Sequence, residues 1–282
     1  MINFCDCLLA GGTSRKNHSE VGSAYIHFNF SADGDKTTPS LFGDVPRGVM
    51  LNQPPIFLGG QGGAVGPIRL GFGNVVSAGT ILRKDVLTER RLIMGKSHRG
   101  GELPFVSNRY PGLSQMLEKN LRYLANLAAL EQWYRHVRRD FFQGEELGSL
   151  VYNGVLENLS LAKKERIKRL RAVAEKMPES IHHDLSDSIR SRKTEFHRHV
   201  DEVCNVFDDN QGPDTGHHHR DPFLEALEIQ KKNQEAKYIS VIQSLPEAVS
   251  REGTEWLETI VQDLCMKAAA FLPAMNLFRK SE

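Results

Sequence analysis

An aliphatic residue returns at about every sixth position between Phe57 and Val86, in FLGGQGGAVGPIRLGFGNVVSAGTILRKDV. Val65, Leu70, Val76 and Leu82 head successive units, with one register slip at Arg69. A period of six fits neither an amphipathic helix nor an alternating strand. It is typical of a parallel β-helix with one hexad on each side of its coil, where glycine forms the corners because it accepts positive φ. A Gly-rich β-sandwich segment is the alternative, but polar/apolar alternation and hairpin dipeptides are absent from this stretch.

The same repeat extends towards the N-terminus, in residues 2–7, 8–13 and 21–26. Residues 27–40 are rich in Asp, Gly and Pro, so we predict a loop expelled from the coil. The repeat resumes at 41–45, and residues 46–55 form a second excursion. Since the chain begins inside a repeat, we expect that a longer ancestor has lost its N-terminal portion, or that trimer contacts or another partner cover this end.

A helical period replaces the hexads in the second half of the chain. Residues 87–110 are basic and irregular and are predicted to be a strap. Leucines 117, 121, 124, 127 and 130 then lie on one helical face. Breaks at proline and glycine divide the rest into predicted helices at 111–143, 152–176, 179–207, 221–244 and 253–271. We therefore divide the chain into a β-helix (1–86), the strap (87–110) and an all-α region (111–282), either an antiparallel bundle or an arm that wraps an oligomer.

Composition narrows the classes of partner. The 282 residues carry 36 Lys and Arg against 35 Asp and Glu, a balance that gives no reason to expect nucleic acid or an anionic membrane. No apolar run is long enough to span a bilayer, and the N-terminus lacks the basic start of a signal peptide. Of the four cysteines, 5 and 7 are closely spaced, whereas 204 and 265 lie far apart. This pattern indicates a reduced, cytoplasmic protein.

Histidine pairs and triplets stand out at 182–183 and 217–219. The sequence places no carboxylate at a fixed helical spacing beside them, and His-rich loops are usually solvated. We therefore expect no metal site.

Polar residues cluster where the repeat breaks, and their order carries a resemblance. Asn17-His18, VGSAYIHFNF over 21–30, Asp33-Gly-Asp-Lys36, Gly43-Asp44-Val45 and the run from Phe57 to Val86 follow one another. The series resembles the acetyltransferase half of the bifunctional UDP-N-acetylglucosamine pyrophosphorylase/glucosamine-1-phosphate N-acetyltransferases. The likeness covers residues 14–86, under a third of the chain. It implies a hexapeptide-repeat, left-handed parallel β-helix that forms a homotrimer and uses acetyl-CoA or another acyl-CoA.

The resemblance also implies catalytic and substrate-binding residues. His18 would be the general base that removes a proton from the attacking sugar amine. Asn29 would position the thioester. Lys36 would bind the sugar phosphate as a point charge, and Asn17 and Arg47 complete the predicted substrate-binding set. The interval between His18 and the next hexad is about two hexads shorter than in the family. The alternative interpretation is that His18, His27 and Asn29 satisfy one another in a loop.

The coenzyme would lie against Gly60, Ala78 and Phe30. Small residues at 60 and 78 allow the backbones of neighbouring coils to approach the pantetheine arm. Phe30 stands where the family has Tyr and lacks its hydroxyl, and Gly60 stands where the family has Ser. The nucleotidyltransferase half of the family has no counterpart in this chain.

Two functions of different classes follow. The first is an acyl-CoA-dependent transferase acting on the amine of a sugar phosphate or nucleotide sugar, by direct attack because no Cys or Ser is placed as a nucleophile. The second is a non-catalytic, trimeric assembly module whose helical region binds a partner.

Overall fold

The computed structural model describes residues 2–4, 7–95, 101–102, 105–143, 145–182, 186–208, 215–233 and 237–278, without the side chains of 2–4 and 233. The predicted fold class, a left-handed parallel β-helix followed by an all-α region, is wrong. The protein has a mixed α/β fold with short parallel strands in several sheets, and 54% of it is helix. Part of the predicted strap, residues 96–100 and 103–104, lies outside the described residues.

The strands are only two or three residues long, because Gly, Pro and Asn interrupt the aliphatic positions. They are β1 (Ile2–Phe4), β2 (Cys7–Leu9), β3 (Gly12–Ser14), β4 (Asn17–His18), β5 (Glu20–Val21), β6 (Ile26–Phe28), β7 (Ser40–Phe42), β8 (Phe57–Leu58), β9 (Gly63–Val65), β10 (Arg69–Leu70), β11 (Val75–Val76), β12 (Ile81–Leu82) and β13 (Leu92–Ile93). They form sheets in the orders β1-β2-β7-β10, β13-β11-β8-β5, β12-β9-β6 and β3-β4.

The N-terminal hexads do not form the predicted parallel coil. Strand β1 pairs with β2 antiparallel, with Ile2 opposite Leu9. Strands β3 and β4 also form an antiparallel pair, with a register shift between Gly12 and Ser14. Parallel pairing appears elsewhere, as between Val75 and Phe57 and between Ile81 and Gly63. Side-chain spacing alone does not encode strand direction, so the hexads of 2–19 could not exclude hairpins.

The helices are α1 (Val45–Gly48), α2 (Leu113–Trp133), α3 (Arg139–Phe142), α4 (Gly148–Glu175), α5 (Met177–Ile181), α6 (Asp187–Asn205), α7 (His217–Asn233), α8 (Tyr238–Gln243) and α9 (Glu247–Ala270). A π-helical turn at Tyr134–Arg138 joins α2 to α3, and a 3-10 turn follows at Pro273–Met275. The predicted helices at 152–176 and 253–271 are confirmed by α4 and α9, with earlier starts. The helix predicted at 221–244 is two helices, α7 and α8.

One sheet separates two hydrophobic cores. Strand β7 sends Phe42 into a core made by the strands and Leu41 into a core made mainly by the helices. Strand β2 does the same with Leu9 and Leu8. Because successive side chains of a strand point to opposite faces, both faces of this sheet are buried. The helices therefore cover the strands on one side.

Both excursions pack against the helices. Val49 and Met50, just after α1, are buried in the helical core. The loop at 31–37, which the sequence predicts to be expelled, is attached to the helices by polar contacts. Arg166 Nη2 donates to the Lys36 carbonyl at 2.9 Å, and Lys176 Nζ pairs with Asp35 at 2.6 Å.

In the part of the chain described, no helix is both long enough and apolar enough to cross a membrane. The described cysteines, Cys7, Cys204 and Cys265, are buried. Burial raises the pKa of Cys204 to about 11 and that of Cys265 to about 12.

Candidate functional site

In the sheet that separates the two cores, one charged residue lies on the face towards the helices. Arg69 in β10 pairs with Leu41, and Leu70 pairs with Phe42. Leu70 and Phe42 point into the strand core. Arg69 lies beside Leu41 on the opposite face, which is the face covered by helices.

Helices α2 and α9 bring further polar groups to Arg69. Arg122 and Asn126 are four residues apart on α2, and Glu258 and Gln262 are four residues apart on α9, so each pair shares a helical face. Together with β7, α1 and β10 they enclose a cavity of about 350 Å³. We call this the arginine cavity. It is lined by Leu41, Gly43, Asp44, Pro46, Arg47, Arg69, Leu70, Gly71, Leu87, Arg122, Asn126, Glu258, Val261 and Gln262.

The turn from β7 into α1 forms one wall of the arginine cavity. Gly43 has φ +75°, and a Cβ there would lie 2.5 Å from the Phe72 ring, so both the backbone and the space require glycine. Asp44 then caps α1 by accepting from Arg47 N at 3.0 Å. Val45 N donates to Asn126 Oδ1 at 3.0 Å, which fixes the turn to α2.

Arg47 is already engaged within the fold. Its Nε and Nη2 donate to Asp44 Oδ2 at 2.8 and 2.6 Å, and its Nη1 donates to Glu89 Oε1 at 2.6 Å. The guanidinium also stands 4.7 Å from the centre of the Phe72 ring. These carboxylates raise the pKa of Arg47 despite its partial burial. Arg47 therefore lines the arginine cavity with its charge largely balanced.

Arg69 and Arg122 differ from Arg47 in this respect. Within the described residues, neither guanidinium makes a hydrogen bond or ion pair with a carboxylate, although Arg122 stands 5.2 Å from the centre of the Phe278 ring. Burial and the neighbouring Arg122 lower the pKa of Arg69. Asp85, the nearest acidic residue in sequence, accepts from the Arg69 backbone and pairs with Lys119 at 3.0 Å. Within the described residues, these two guanidinium groups thus face the same space without a direct carboxylate partner, although the charges of Asp85, Asp44 and Glu118 partly offset the lowered pKa of Arg69.

Glu258 supplies a carboxylate to the same space. Among the described residues it makes no hydrogen bond or ion pair. Burial raises its pKa, and the charge of Asp44 adds to the effect, while Arg47 opposes it. The arginine cavity thus places two guanidinium groups and a carboxyl group with a raised pKa around one space.

Most of the sequence-predicted residues lie elsewhere. Of that set, only Arg47 lines the arginine cavity. Asn17 and His18 form β4 of the exposed hairpin, where Asn17 Nδ2 donates to Thr13 Oγ1 at 2.9 Å and His18 Nδ1 lies 3.0 Å from the Ser19 carbonyl. Asn29 directly follows β6, in a different sheet. The structure thus places His18 and Asn29 on separate elements, and their catalytic roles stay predictions.

The remaining predicted residues fall in two places. Phe30 is 62% exposed and forms an isolated bridge with Lys36, whose carbonyl accepts from Arg166. Gly60 lies where backbones approach closely, since a Cβ there would be 2.9 Å from the Ser23 carbonyl oxygen. Ala78 is exposed, and its backbone nitrogen lies next to Gly59. The coenzyme groove at Gly60, Ala78 and Phe30 stays a prediction.

The sequence analysis missed Arg69, Arg122 and Glu258. Arg69 had one available signal, because it stands at the slip in the hexad register, where a charged residue interrupts the aliphatic series. Arg122 and Glu258 gave none. Arg122 and Glu258 each lie beside the apolar face of a predicted helix, where a charged residue is usually solvated.

A second, more open cavity of about 810 Å³ lies between the start of α4 and α8. Arg138 stands over the Tyr238 ring at 3.8 Å within it, and Trp133 donates to the Tyr238 hydroxyl at 3.0 Å. Its aromatic groups contact one another and Arg138, and its polar lining also includes Arg15, Glu145, Glu146, Lys237 and Ser240. It contains none of the predicted site residues.

Comparison with known proteins adds no name to this site. The chain matches no protein-family model, no curated protein and no solved structure, so the resemblance to the acetyltransferases stays a prediction.

Proposed function

We propose that this protein binds an anionic small molecule, a phosphate ester, in the arginine cavity. The observation that supports the proposal is the pair of guanidinium groups, Arg69 and Arg122, that face one space without a carboxylate partner. Guanidinium groups bind phosphate through paired hydrogen bonds. A phosphate would also offset the burial and the repulsion by Arg122 that lower the pKa of Arg69.

We further propose the narrower function that the sequence suggests, transfer of an acyl group from acyl-CoA to the amine of a sugar phosphate or nucleotide sugar. Arg69 and Arg122 would hold the phosphate. The amine nitrogen would attack the thioester carbonyl, forming the C–N bond and breaking the C–S bond, while a general base takes the amine proton and the thiol of CoA leaves.

Two residues compete for the role of base. His18 is the base implied by the resemblance, and it lies on an exposed hairpin. Glu258 is the base that the arginine cavity itself provides, with a pKa raised by burial. His18 lies in β4 and Glu258 lies in α9, so each can be substituted without changing the other. Substituting them one at a time therefore distinguishes the two versions of the proposal.

Calorimetric titration with glucosamine 1-phosphate, UDP-glucosamine and inorganic pyrophosphate tests the binding site. We expect at least one of these ligands to bind, and Arg69→Gln to weaken that binding by about tenfold or more. Arg83→Gln is the matched control, because Arg83 is exposed and outside the cavity. Equal affinity in all three proteins, or no binding of any phosphate, would contradict the proposal.

Release of free thiol from acetyl-CoA, with the same phosphates as acceptors, tests the transfer reaction. If Glu258 is the base, Glu258→Gln lowers kcat by about a hundredfold or more, while His18→Ala retains activity. The reverse pattern assigns the base to His18. Phosphate binding without thiol release rejects the transferase and leaves the binding site intact.

As a second candidate function, we propose self-association through an exposed sheet face. This is the assembly module of the sequence analysis, applied to the observed fold. The specific observation is a row of apolar side chains across β8, β11 and β13. Phe57, Val75 and Leu92 pair in register, and they are 42%, 42% and 64% exposed. A contiguous apolar row on an outer face is typical of an interface between protein chains.

The resemblance implies a homotrimer as the specific assembly. Analytical ultracentrifugation measures the mass in solution, and Val75→Lys places a charge in the centre of the row. We expect an oligomer in the wild type and a monomer in Val75→Lys. Leu87→Lys is a comparable change of an exposed apolar residue outside this row, and it should leave the oligomer unchanged. A monomeric wild type rejects this candidate.

A further inference from the structure

The first turn of α7 brings a histidine against two glutamates of α9. His219 Nδ1 lies 2.7 Å from Glu252 Oε2 and 3.4 Å from Glu255 Oε2. One ligand atom from each of the three residues lies within 4.8 Å of the other two. All three side chains are partly buried, with the imidazole 23% exposed. Glu252 and Glu255 are three residues apart, so they share one face of α9.

The backbone before α7 fixes this approach. Gly216 has φ +77°, and a Cβ at this position would lie 3.1 Å from the Trp256 ring and 3.2 Å from its carbonyl oxygen. The His219 amide donates back to the Gly216 carbonyl at 3.0 Å, which starts the helix. The imidazole is therefore held against α9 by the close passage of the chain rather than by its own rotamer alone.

The protein groups around the cluster balance its charge incompletely. Nδ1 carries at most one proton, so it donates to one carboxylate at a time. Within the described part of the chain, Arg251 is a further cation near these carboxylates, and its Nε lies 3.9 Å from Glu255 Oε1, beyond hydrogen-bond distance. Arg220, from the same turn as His219, pairs with Asp221 at 2.8 Å. Two carboxylates thus converge on one imidazole.

We propose that His219, Glu252 and Glu255 form a binding site for a divalent transition-metal ion of the zinc class, joining α7 to α9. Imidazole nitrogen with carboxylate oxygen is a donor set that suits Zn²⁺ and its neighbours and disfavours Mg²⁺ and Ca²⁺. Ligands at ~2.1 Å from a tetrahedral zinc ion lie about 3.4 Å apart. The separation between His219 and Glu255 already has that value, and the His219–Glu252 separation of 2.7 Å differs from it by less than 1 Å.

This site is absent from the sequence-based expectations because the two halves are about thirty residues apart. The run 217–219 showed histidines without neighbouring carboxylates, and only the packing of α7 on α9 supplies them. The site is separate from the arginine cavity, which uses Glu258 one turn further along α9, although the charge of Glu255 adds to the raised pKa of Glu258.

Metal binding is tested on the full chain after treatment with EDTA and removal of the chelator. We expect calorimetry to show Zn²⁺ binding with a micromolar or lower Kd, Co²⁺ to give visible d–d absorption bands, and Zn²⁺ to raise the Tm. Glu255→Gln and His219→Gln should each weaken this binding by tenfold or more and reduce the Tm shift. Circular dichroism of each variant confirms that it is folded. If His219→Gln does not fold, the half-exposed Glu255→Gln decides the question by itself.

Two control variants separate this site from general histidine binding. His199 lies 3.3 Å from one carboxylate, Glu202, in an exposed pair, so His199→Gln should leave Zn²⁺ binding unchanged. His218 stacks on His219 with ring centres 4.1 Å apart, and His218→Gln tests the histidine run itself. The proposal is overturned if the wild type does not bind Zn²⁺, or if Glu255→Gln and His219→Gln bind it as tightly as the wild type. Loss of binding in either control together with retention in Glu255→Gln would also overturn it.

Discussion

Two polar clusters lie where the strands meet the helices, and they use their charges differently. In the first, the 31–37 loop, Asp35 accepts from Lys176 Nζ at 2.6 Å and from the Tyr110 hydroxyl at 2.5 Å. Burial, followed by this hydrogen bond to Asp35, raises the pKa of Tyr110. In the second, the arginine cavity, neither Arg69 nor Arg122 makes an ion pair with a carboxylate of the described residues, although Asp44 and Glu258 line the same cavity.

This difference distinguishes charges that stabilise the fold from charges that are free to bind a ligand. Asp35 is 14% exposed, so its partners are needed to offset its desolvation. Its interactions therefore hold the loop to α5 and to the segment before α2. Arg69 has lost part of its hydration, and the charges of Asp85, Asp44 and Glu118 offset this only in part, since its pKa stays lowered. Removing a charge should consequently destabilise the loop cluster, and should leave the arginine cavity equally stable or more stable.

The largest effect is expected at the loop. Asp35→Ala removes the acceptor for both Lys176 and Tyr110, and we expect the free energy of unfolding to fall by about 1–3 kcal/mol. Urea denaturation followed by circular dichroism measures it. The matched control is Asp201→Ala, which removes an exposed carboxylate paired with Arg171 and should change stability by less than ~0.5 kcal/mol. Equal losses in the two variants would contradict the structural role of Asp35.

A smaller change of opposite sign is expected at Arg69. Its pKa is lowered in the folded state, so its charged form costs stability at neutral pH, and Arg69→Gln removes that cost. We expect the unfolding free energy of the ligand-free protein to stay the same or rise by up to about 1 kcal/mol. The same urea titration measures it, with Arg83→Gln as the reference. A clear loss of stability would show that Arg69 supports the fold.

The smallest effect concerns pH. The pKa of Glu258 is raised in the folded state, so its contribution is fully present below the ordinary glutamate pKa, about 4.3, and is lost as pH rises through the folded-state pKa. Glu258→Gln has no such loss. Its stability relative to the wild type should therefore increase between pH 4 and pH 7. Thermal unfolding of both proteins across this range measures the difference, and a difference independent of pH would refute the shift.

The sequence predicted local structure better than assembly. The leucines from 117 to 130 placed α2 correctly because a helical face is encoded by residues only three or four apart. The hexads around Val76 and Leu82 correctly placed buried side chains, since both belong to the strand core. They failed as a fold class, because the direction of β1 to β4 and the packing of helices on β2 and β7 depend on distant partners.

The candidate site shows the same limit. Arg47 was predicted and does line the arginine cavity, but in contact with Asp44 and Glu89. Arg69, Arg122 and Glu258 come from three elements separated by tens of residues, and the sequence offered no spacing that connects them. His18 was chosen from a resemblance, and the structure places it on a hairpin outside the cavity.

The sequence by itself determined the spacing of the short strands, the apolar faces of the long helices and the glycines, such as Gly43, that the turns require. These depend on neighbours along the chain. Only the tertiary structure decided which charges are paired and which are left facing a cavity, because ion pairing depends on side chains that meet through packing. Asp35 lies in a polar loop and Arg69 at a slip in the repeat, and the sequence shows the partners of neither. Packing paired Asp35 with Lys176 and Tyr110 and left Arg69 without a carboxylate partner among the described residues.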